Sequence, residues 1–209
     1  EKLRTNYPSG PLFNNPVFNP SIYRGICDQI YTLLPGVFRK QTDTADGHDI
    51  INETYLAWAE ERDLLQSFIH EASGILALPP TDLVHWAEYA QHYGVPTRFL
   101  DWTSNPLTAL YFTCRDKTNC DGSVWLLHKI NYSNFIGEHL HIPKDKKIQE
   151  IIMDLLQEKS DVEFPITYTP YYVDSRMNAQ SSYFMVWGTK KEALENLLKD
   201  ECYEMKLPE

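Results

Sequence analysis

One stretch constrains this chain more than any other: Gln91-His92-Tyr93-Gly94-Val95-Pro96-Thr97-Arg98-Phe99-Leu100-Asp101-Trp102-Thr103-Ser104-Asn105-Pro106-Leu107-Thr108-Ala109-Leu110-Tyr111-Phe112. It places a histidine, an arginine, an aspartate and a Trp-Thr-Ser-Asn cluster between two apolar segments. Gly94 and Pro96 punctuate the helix-like run from Asp82 to Tyr93, because glycine tolerates the stop conformation and proline cannot extend the hydrogen-bond ladder. Thr97 to Trp102 is rich in β-branched and aromatic residues and reads as a strand. Thr103 or Ser104 stands where a helix N-cap is wanted, and Pro106 falls in the first turn, where its missing N–H costs nothing. Leu107, Leu110 and Tyr111, with Ala109 and Phe112, are expected to supply the apolar contacts of the helix that follows. The polar residues from Asp101 to Asn105 then fall at a strand-to-helix junction, where backbone N–H groups favour an anionic ligand.

Composition narrows the classes. At 209 residues the chain can bury the core of one domain of ordinary size. A formal net charge of -10 disfavours a protein that relies on a broad phosphate-binding face, so nucleic acid is not the favoured partner. The four cysteines, Cys27, Cys114, Cys120 and Cys202, form no Cys-x-x-Cys pair and are too sparse for a disulfide scaffold, which points to a reducing compartment. No apolar run reaches the roughly 18 to 20 residues that span a bilayer, and no leader-like segment opens the chain. The expectation is a cytoplasmic protein without a membrane partner.

Residues 1–20 include a Pro/Asn/Gly-rich stretch expected to form an extended arm, and residues 21–209 a single domain. Ser21 to Ile26 reads as a strand, Leu33 to Arg39 as a turn, and Lys40 to Asp49 as a polar loop. Asn52 to Ser73 has helical spacing, as one helix or two, and Thr81 is expected to cap the next. Ser123 to Ile130 reads as a buried strand, Tyr132 to Lys147 as a surface insertion, and Ile148 to Gln157 as a short helix. Phe164 to Val173 suits an edge strand, Ser182 to Trp187 a strand, and Lys190 to Asp200 a helix. Helices and strands do not alternate regularly, so the fold class is α+β, with a mixed or antiparallel sheet flanked by helices.

Several residues invite chemistry, each beside a structural alternative. Arg24 precedes Gly25, which permits close approach of a ligand, and its planar fork suits a diphosphate or carboxylate; it could equally pair with Asp101. Thr103 and Ser104 could orient a sugar or simply cap a helix. His92 could move protons near neutral pH or sit against a helix C-terminus. Asp101 and Trp102 could line a pocket, the indole stacking on a flat ring, or Asp101 could cap the helix or pair with Arg98. Arg176 is a second anion contact or a salt-bridge partner, and Gln180 a ribose contact or a strand-edge residue. His139 and His141 lack a third ligand of convincing spacing, so no metal is expected. Phosphate-cradling, dinucleotide and nucleophile-elbow motifs are absent from the sequence.

Tyr23-Arg24-Gly25, the run from Gln91 to Phe112, Asp121-Gly122 with Val124-Trp125, and Arg176 with Ala179-Gln180 resemble the FRG domain family over roughly Ile22 to Trp187. The pattern calls for a glycine where Ser182 stands, and the family's further C-terminal helix and tail imply that the domain is truncated at its C-terminus. A more distant resemblance is to ADP-ribosyltransferases. These carry Arg or His on a first strand, a hydroxyl residue ending a second strand before a helix with a small residue and an aromatic, and Glu or Gln by a late strand. Ile22 to Gly25, Phe99 to Thr103 with Ala109 and Phe112, and Gln180 before Tyr183 to Trp187 follow that order. The resemblance implies NAD as ADP-ribosyl donor and an unknown macromolecular target. Arg24, Thr103, Ser104, Gln180 and His92 would be catalytic, and Arg24, Gly25, Asp101, Trp102, Asn105 and Arg176 would bind the cofactor. Two rival readings stay open: a noncatalytic nucleotide or nucleic-acid recognition module, and a protein interaction domain.

Overall fold

A computed structural model describes residues 21–39, 41–45, 48–52, 58–115, 119–139, 146–170, 182–198 and 202–206. Along the chain these form β1 (Ser21–Ile26), a 3-10 turn (Gly36–Phe38), β2 (Gln41–Ala45), β3 (His48–Asn52), α1 (Trp58–Ser73), α2 (Leu83–His92), β4 (Phe99–Thr103) and α3 (Pro106–Arg115). Then follow β5 (Ser123–His128), α4 (Lys129–His139), α5 (Ile148–Leu156), β6 (Ile166–Tyr168), β7 (Ser182–Val186), α6 (Leu194–Leu197) and β8 (Cys202–Lys206). Six strands make one sheet in the order β6-β7-β4-β1-β5-β8, and β2 pairs with β3 in a separate hairpin. All the pairings are antiparallel, so the fold is α+β, as the irregular alternation of elements predicts.

The sheet has two apolar faces because its strands alternate. Phe99, Phe184 and Val186 on one face meet Val84, Ala87 and Ala90 of α2, Leu65 of α1 and Ile151, Ile152 and Leu155 of α5. On the other face Ile22, Leu100, Trp102, Leu127 and Met185 meet Leu33, Val37 and Phe38 of the turn region, Tyr132 of α4 and Leu194 of α6. Helices therefore cover both faces.

Pairing across the middle of the sheet is uneven. β1 and β5 match over six residue pairs, and β4 and β7 over five. Between β1 and β4 the single registered pair is Tyr23 opposite Thr103. Two three-stranded halves are thus joined by a single registered pair, and the site described below lies beside that break in the ladder.

α3 lies directly on β1 because Gly25 leaves room for it. A Cβ at Gly25 would stand 1.8 Å from the Ala109 carbonyl oxygen and 2.6 Å from Thr113 Oγ1. One at Gly122 would meet the Thr113 methyl at 2.2 Å. Thr113 therefore packs between two glycines, and its hydroxyl donates to the carbonyls of Ala109 (3.0 Å) and Ser123 (3.3 Å).

Local punctuation was partly legible. Gly94 ends α2 with φ of +84°, and Val95 N–H reaches back to Ala90 at 2.9 Å, closing the helix. The N-cap of α2 is Asp82 rather than Thr81: its backbone is extended and its carboxylate accepts from His85 N–H at 3.0 Å. The cap of α3 is Asn105 rather than Thr103 or Ser104, since its side-chain oxygen accepts from Leu107 N–H at 2.9 Å, while Thr103 Oγ1 accepts from Asn105 N–H at 3.0 Å. Pro106 opens the helix as expected.

Other expectations are corrected. Gln41–Ala45 and His48–Asn52 form a hairpin where a polar loop was expected; Thr42, Thr44, Ile50 and Ile51 are β-branched residues on either side of an Asp-Gly dipeptide, a hairpin signal. The helix expected from Asn52 runs over Trp58–Ser73, as Asn52 belongs to β3. The expected surface insertion after Tyr132 belongs in its first part to α4, anchored by the buried Tyr132 hydroxyl, which donates to the Pro165 carbonyl. That helix takes over at Lys129, so β5 stops at His128. The helix expected from Lys190 is the four-residue α6, pinned where Leu194 N–H donates to Leu33 O at 3.0 Å. Leu107 and Tyr111 are 71% and 59% exposed, so α3 packs through Ala109 and Thr113 instead of a leucine stripe.

Candidate functional site

Where β1 and β4 part, a cleft of about 390 Å³ opens. β1 supplies Tyr23, Arg24 and Gly25, β4 supplies Asp101 and Thr103, and the last turn of α2 supplies Gln91 and His92. α3 contributes Thr108, Phe112 and Arg115, the segment after β1 contributes Tyr31 and Arg39, and Ser182 closes the set from β7.

Arg24 forms the inner wall. Its Nη1 donates to the Asp101 carbonyl oxygen at 2.5 Å and lies 3.9 Å from Asp101 Oδ2. Its buried Nε has no hydrogen-bond partner among the described residues. A buried guanidinium N–H without an acceptor is costly, and such groups in native folds are usually met by water or ligand. Burial pulls the Arg24 pKa down to about 10, with the Asp101 charge opposing the shift and the nearby Arg39 reinforcing it. At neutral pH Arg24 remains a cation.

Asp101 is held by a directed chain of hydrogen bonds. Phe99 N–H donates to Thr97 Oγ1 (3.1 Å), the Thr97 hydroxyl donates to Gln91 Oε1 (2.5 Å), and Gln91 Nε2 donates to Asp101 Oδ2 (2.7 Å). The Gln91 amide is thereby oriented, and it couples the end of α2 to the Arg24 wall. Asp101 sits within β4 and its side chain is 54% exposed, so it presents its carboxylate to the cleft from the strand rather than from the junction.

The charge balance is the opposite of the chain's. Arg24, Arg39 and Arg115 line the cleft against one carboxylate, Asp101, among its described walls. Arg39 donates its Nε to Leu34 O at 2.8 Å, and Arg115 lies over the Phe112 ring at 5.2 Å from the centroid. Desolvation also lowers the Arg39 pKa. An acidic protein here carries a cationic pocket, which suits an anion.

Of the residues singled out in the sequence, Arg24, Gly25, His92, Asp101, Trp102 and Thr103 line one cleft. Trp102 contributes without an open ring face: it is 3% exposed and belongs to the core, so the expected stacking is not available to it. Aromatic surface at the cleft comes from Tyr31 and half-buried Phe112 instead. Gly25 has a structural reason of its own, the approach of α3. Asn105 is committed to its cap, and Ser104 lies outside the lining. Arg98 pairs with Glu61, so it is not the partner of Asp101. Arg176 and Gln180 lie outside the described residues. Sequence reasoning missed Gln91, Arg39, Tyr31 and Arg115 as lining residues; the Phe38-Arg39 pair after a Pro-Gly turn was the one local cue.

Fold and site together define an α+β domain whose split antiparallel sheet holds a cationic cleft. Residues 19–122 match the family model of the FRG domain, so the chain carries an FRG domain over that segment. The matched segment runs from just before β1 to the end of the β5 approach and carries every described wall of the cleft except Ser182. Comparison with curated proteins and with solved structures found no match. Among the described residues no helix is long and apolar enough to cross a membrane.

Proposed function

We propose that the cleft binds NAD and that the protein is an NAD-dependent ADP-ribosyltransferase or NAD glycohydrolase acting on a macromolecular target or on water. The observation that carries this reading is the half-buried Arg24 side chain at the parting of β1 and β4, whose buried Nε lacks an acceptor among the described residues. An orphaned, charged donor at the base of a cleft fits a phosphate oxygen. Support also comes from the order of parts: the Tyr23-Arg24-Gly25 strand lies against the strand ending in Thr103, and Ala109 and Phe112 of the next helix line the same space.

Bound NAD would supply a ribosyl–nicotinamide bond whose cleavage releases nicotinamide and leaves the ribose open to a nucleophile. Arg24 would hold the diphosphate. Thr103 would face the ribose, and Asp101 would offset positive charge there. His92, on the cleft wall, would exchange protons with the acceptor. Orientation and fixed charge would supply most of the rate.

A second reading, noncatalytic nucleotide recognition, is favoured by one fact: Asp101, the sole carboxylate among the described walls, already accepts from Gln91 Nε2 at 2.7 Å. Nicotinamide release separates the two. The purified chain is incubated with NAD, binding is followed by calorimetry and nicotinamide by chromatography, for the wild type and a folded Arg24→Ala variant. Binding and release in the wild type, both lost in the variant, are expected. Binding without release would leave the recognition module, and absence of both in folded protein would overturn the NAD reading.

A further inference from the structure

Arg39 was not marked by the sequence, yet it faces the same cleft as Arg24. Its Nε is fixed on the Leu34 carbonyl at 2.8 Å, so this bond anchors one edge of the guanidinium and leaves the terminal nitrogens for other contacts. The two arginines feel one another's charge, since Arg39 lowers the proton affinity of Arg24. Asp101 lies in the field of both and cannot neutralise two cations with one charge. Arg24 meanwhile keeps a buried Nε with no acceptor among the described residues.

Arg24, Arg39 and Arg115 face one carboxylate among the described walls, a surplus of two positive charges that suits a ligand bringing at least two anionic groups, and Arg24 and Arg39 present two forks to it. A single phosphate satisfies one bidentate fork, whereas a diphosphate presents oxygens to both. We infer that Arg24 and Arg39 form a two-arginine clamp that selects a diphosphate over a monophosphate, with Arg39 as the specificity-determining residue. This rests on the nucleotide reading of the cleft and adds what that reading leaves open: which residue counts the phosphates.

The test is calorimetric titration of the full chain at fixed ionic strength with pyrophosphate, AMP, ADP and NAD, using the wild type, Arg39→Gln and Arg39→Lys, each checked by circular dichroism. The wild type should bind ADP at least about tenfold more tightly than AMP, as one additional charge-assisted contact implies. Arg39→Gln should bring the two within about threefold, and Arg39→Lys, which keeps the charge without the fork, should fall between them. Nucleotide binding with an ADP-to-AMP ratio unchanged in Arg39→Gln would overturn the clamp and leave the nucleotide reading standing. Pyrophosphate binding that depends on Arg39, with no binding of NAD, would support the clamp and overturn the NAD reading. Failure of both pyrophosphate and ADP to bind the folded wild type would overturn the clamp outright.

Discussion

Arg98, at the entrance to β4, is joined to Glu61 of α1, 37 residues earlier, by both its backbone and its side chain. Arg98 N–H donates to Glu61 Oε1 at 2.9 Å, and the guanidinium Nη2 meets Oε2 at 2.5 Å. Both side chains are almost fully buried, at 1% and 5% exposure. A buried pair of this kind contributes little net stability when intact, but removing one partner strands the other charge. It locks α1 onto the strand that carries Asp101, three residues further on.

Glu61→Gln should therefore destabilise the protein by about 3 kcal/mol or more, since Arg98 would remain a buried cation without its countercharge. Urea unfolding followed by tryptophan fluorescence measures this. A loss below about 1 kcal/mol would show that water reaches the pair.

Gly25 and Gly137 offer an internal contrast. Gly25→Ala would drive a methyl into the Ala109 carbonyl, whereas a Cβ at Gly137, within α4, meets nothing within 4 Å. Thermal melts should show Gly25→Ala losing at least about 1 to 3 kcal/mol through overpacking, and Gly137→Ala gaining about 0.5 to 1 kcal/mol through helix propensity. Equal effects would refute the proposed seating of α3 on β1.

The capping assignment is testable in the same assay. Asn105→Ala should cost about 1 kcal/mol by freeing Leu107 N–H, and Ser104→Ala should change stability by less than about 0.5 kcal/mol. The reverse order would return the cap to Ser104.

Anion binding should follow the protonation of Arg24. Its pKa is lowered to about 10, so the cation is present throughout the neutral range and is lost as pH rises through that value. Affinity for ADP, whose phosphates are ionised above about pH 8, should be flat from pH 8 to 9 and decline above about 10, with proton uptake on binding near that pH because the anion favours the charged form. On stability the sign is reversed: the unfolded arginine holds its proton more tightly, so the cost of burying Arg24 is relieved as pH rises above about 10 toward the ordinary arginine range. Calorimetry across buffers of different ionisation enthalpy reads the proton uptake.

Asp101→Asn should tighten anion binding by about threefold to fivefold at low salt, because it removes the one negative charge among the described walls while keeping an oxygen for Gln91. The gain should shrink as salt is added. Weaker binding would mean that Asp101 serves chiefly to hold Arg24 in place.

The amino-acid order alone determined a good deal here. Gly94 and Pro96, the β-branched and aromatic run into Trp102, and Pro106 after a polar cluster define a helix stop, a strand and a helix start because those residues restrict their own backbones. The Tyr23-Arg24-Gly25 and Gln91 to Phe112 patterns were likewise enough to reach the family. Caps were less legible, since Thr81 and Asp82, or Thr103, Ser104 and Asn105, are all chemically able to cap, and the choice rests on which side chain reaches the unpaired N–H groups of the first turn. Only tertiary structure decided the rest. That β1 and β4 touch at Tyr23 and Thr103 and then part, that Arg98 turns to Glu61 rather than Asp101, and that Arg39 shares a cleft with Arg24 all depend on contacts between residues far apart in the chain. Local propensity acts over a turn or a strand, while charge pairing and breaks in strand pairing are set by which distant surfaces pack together.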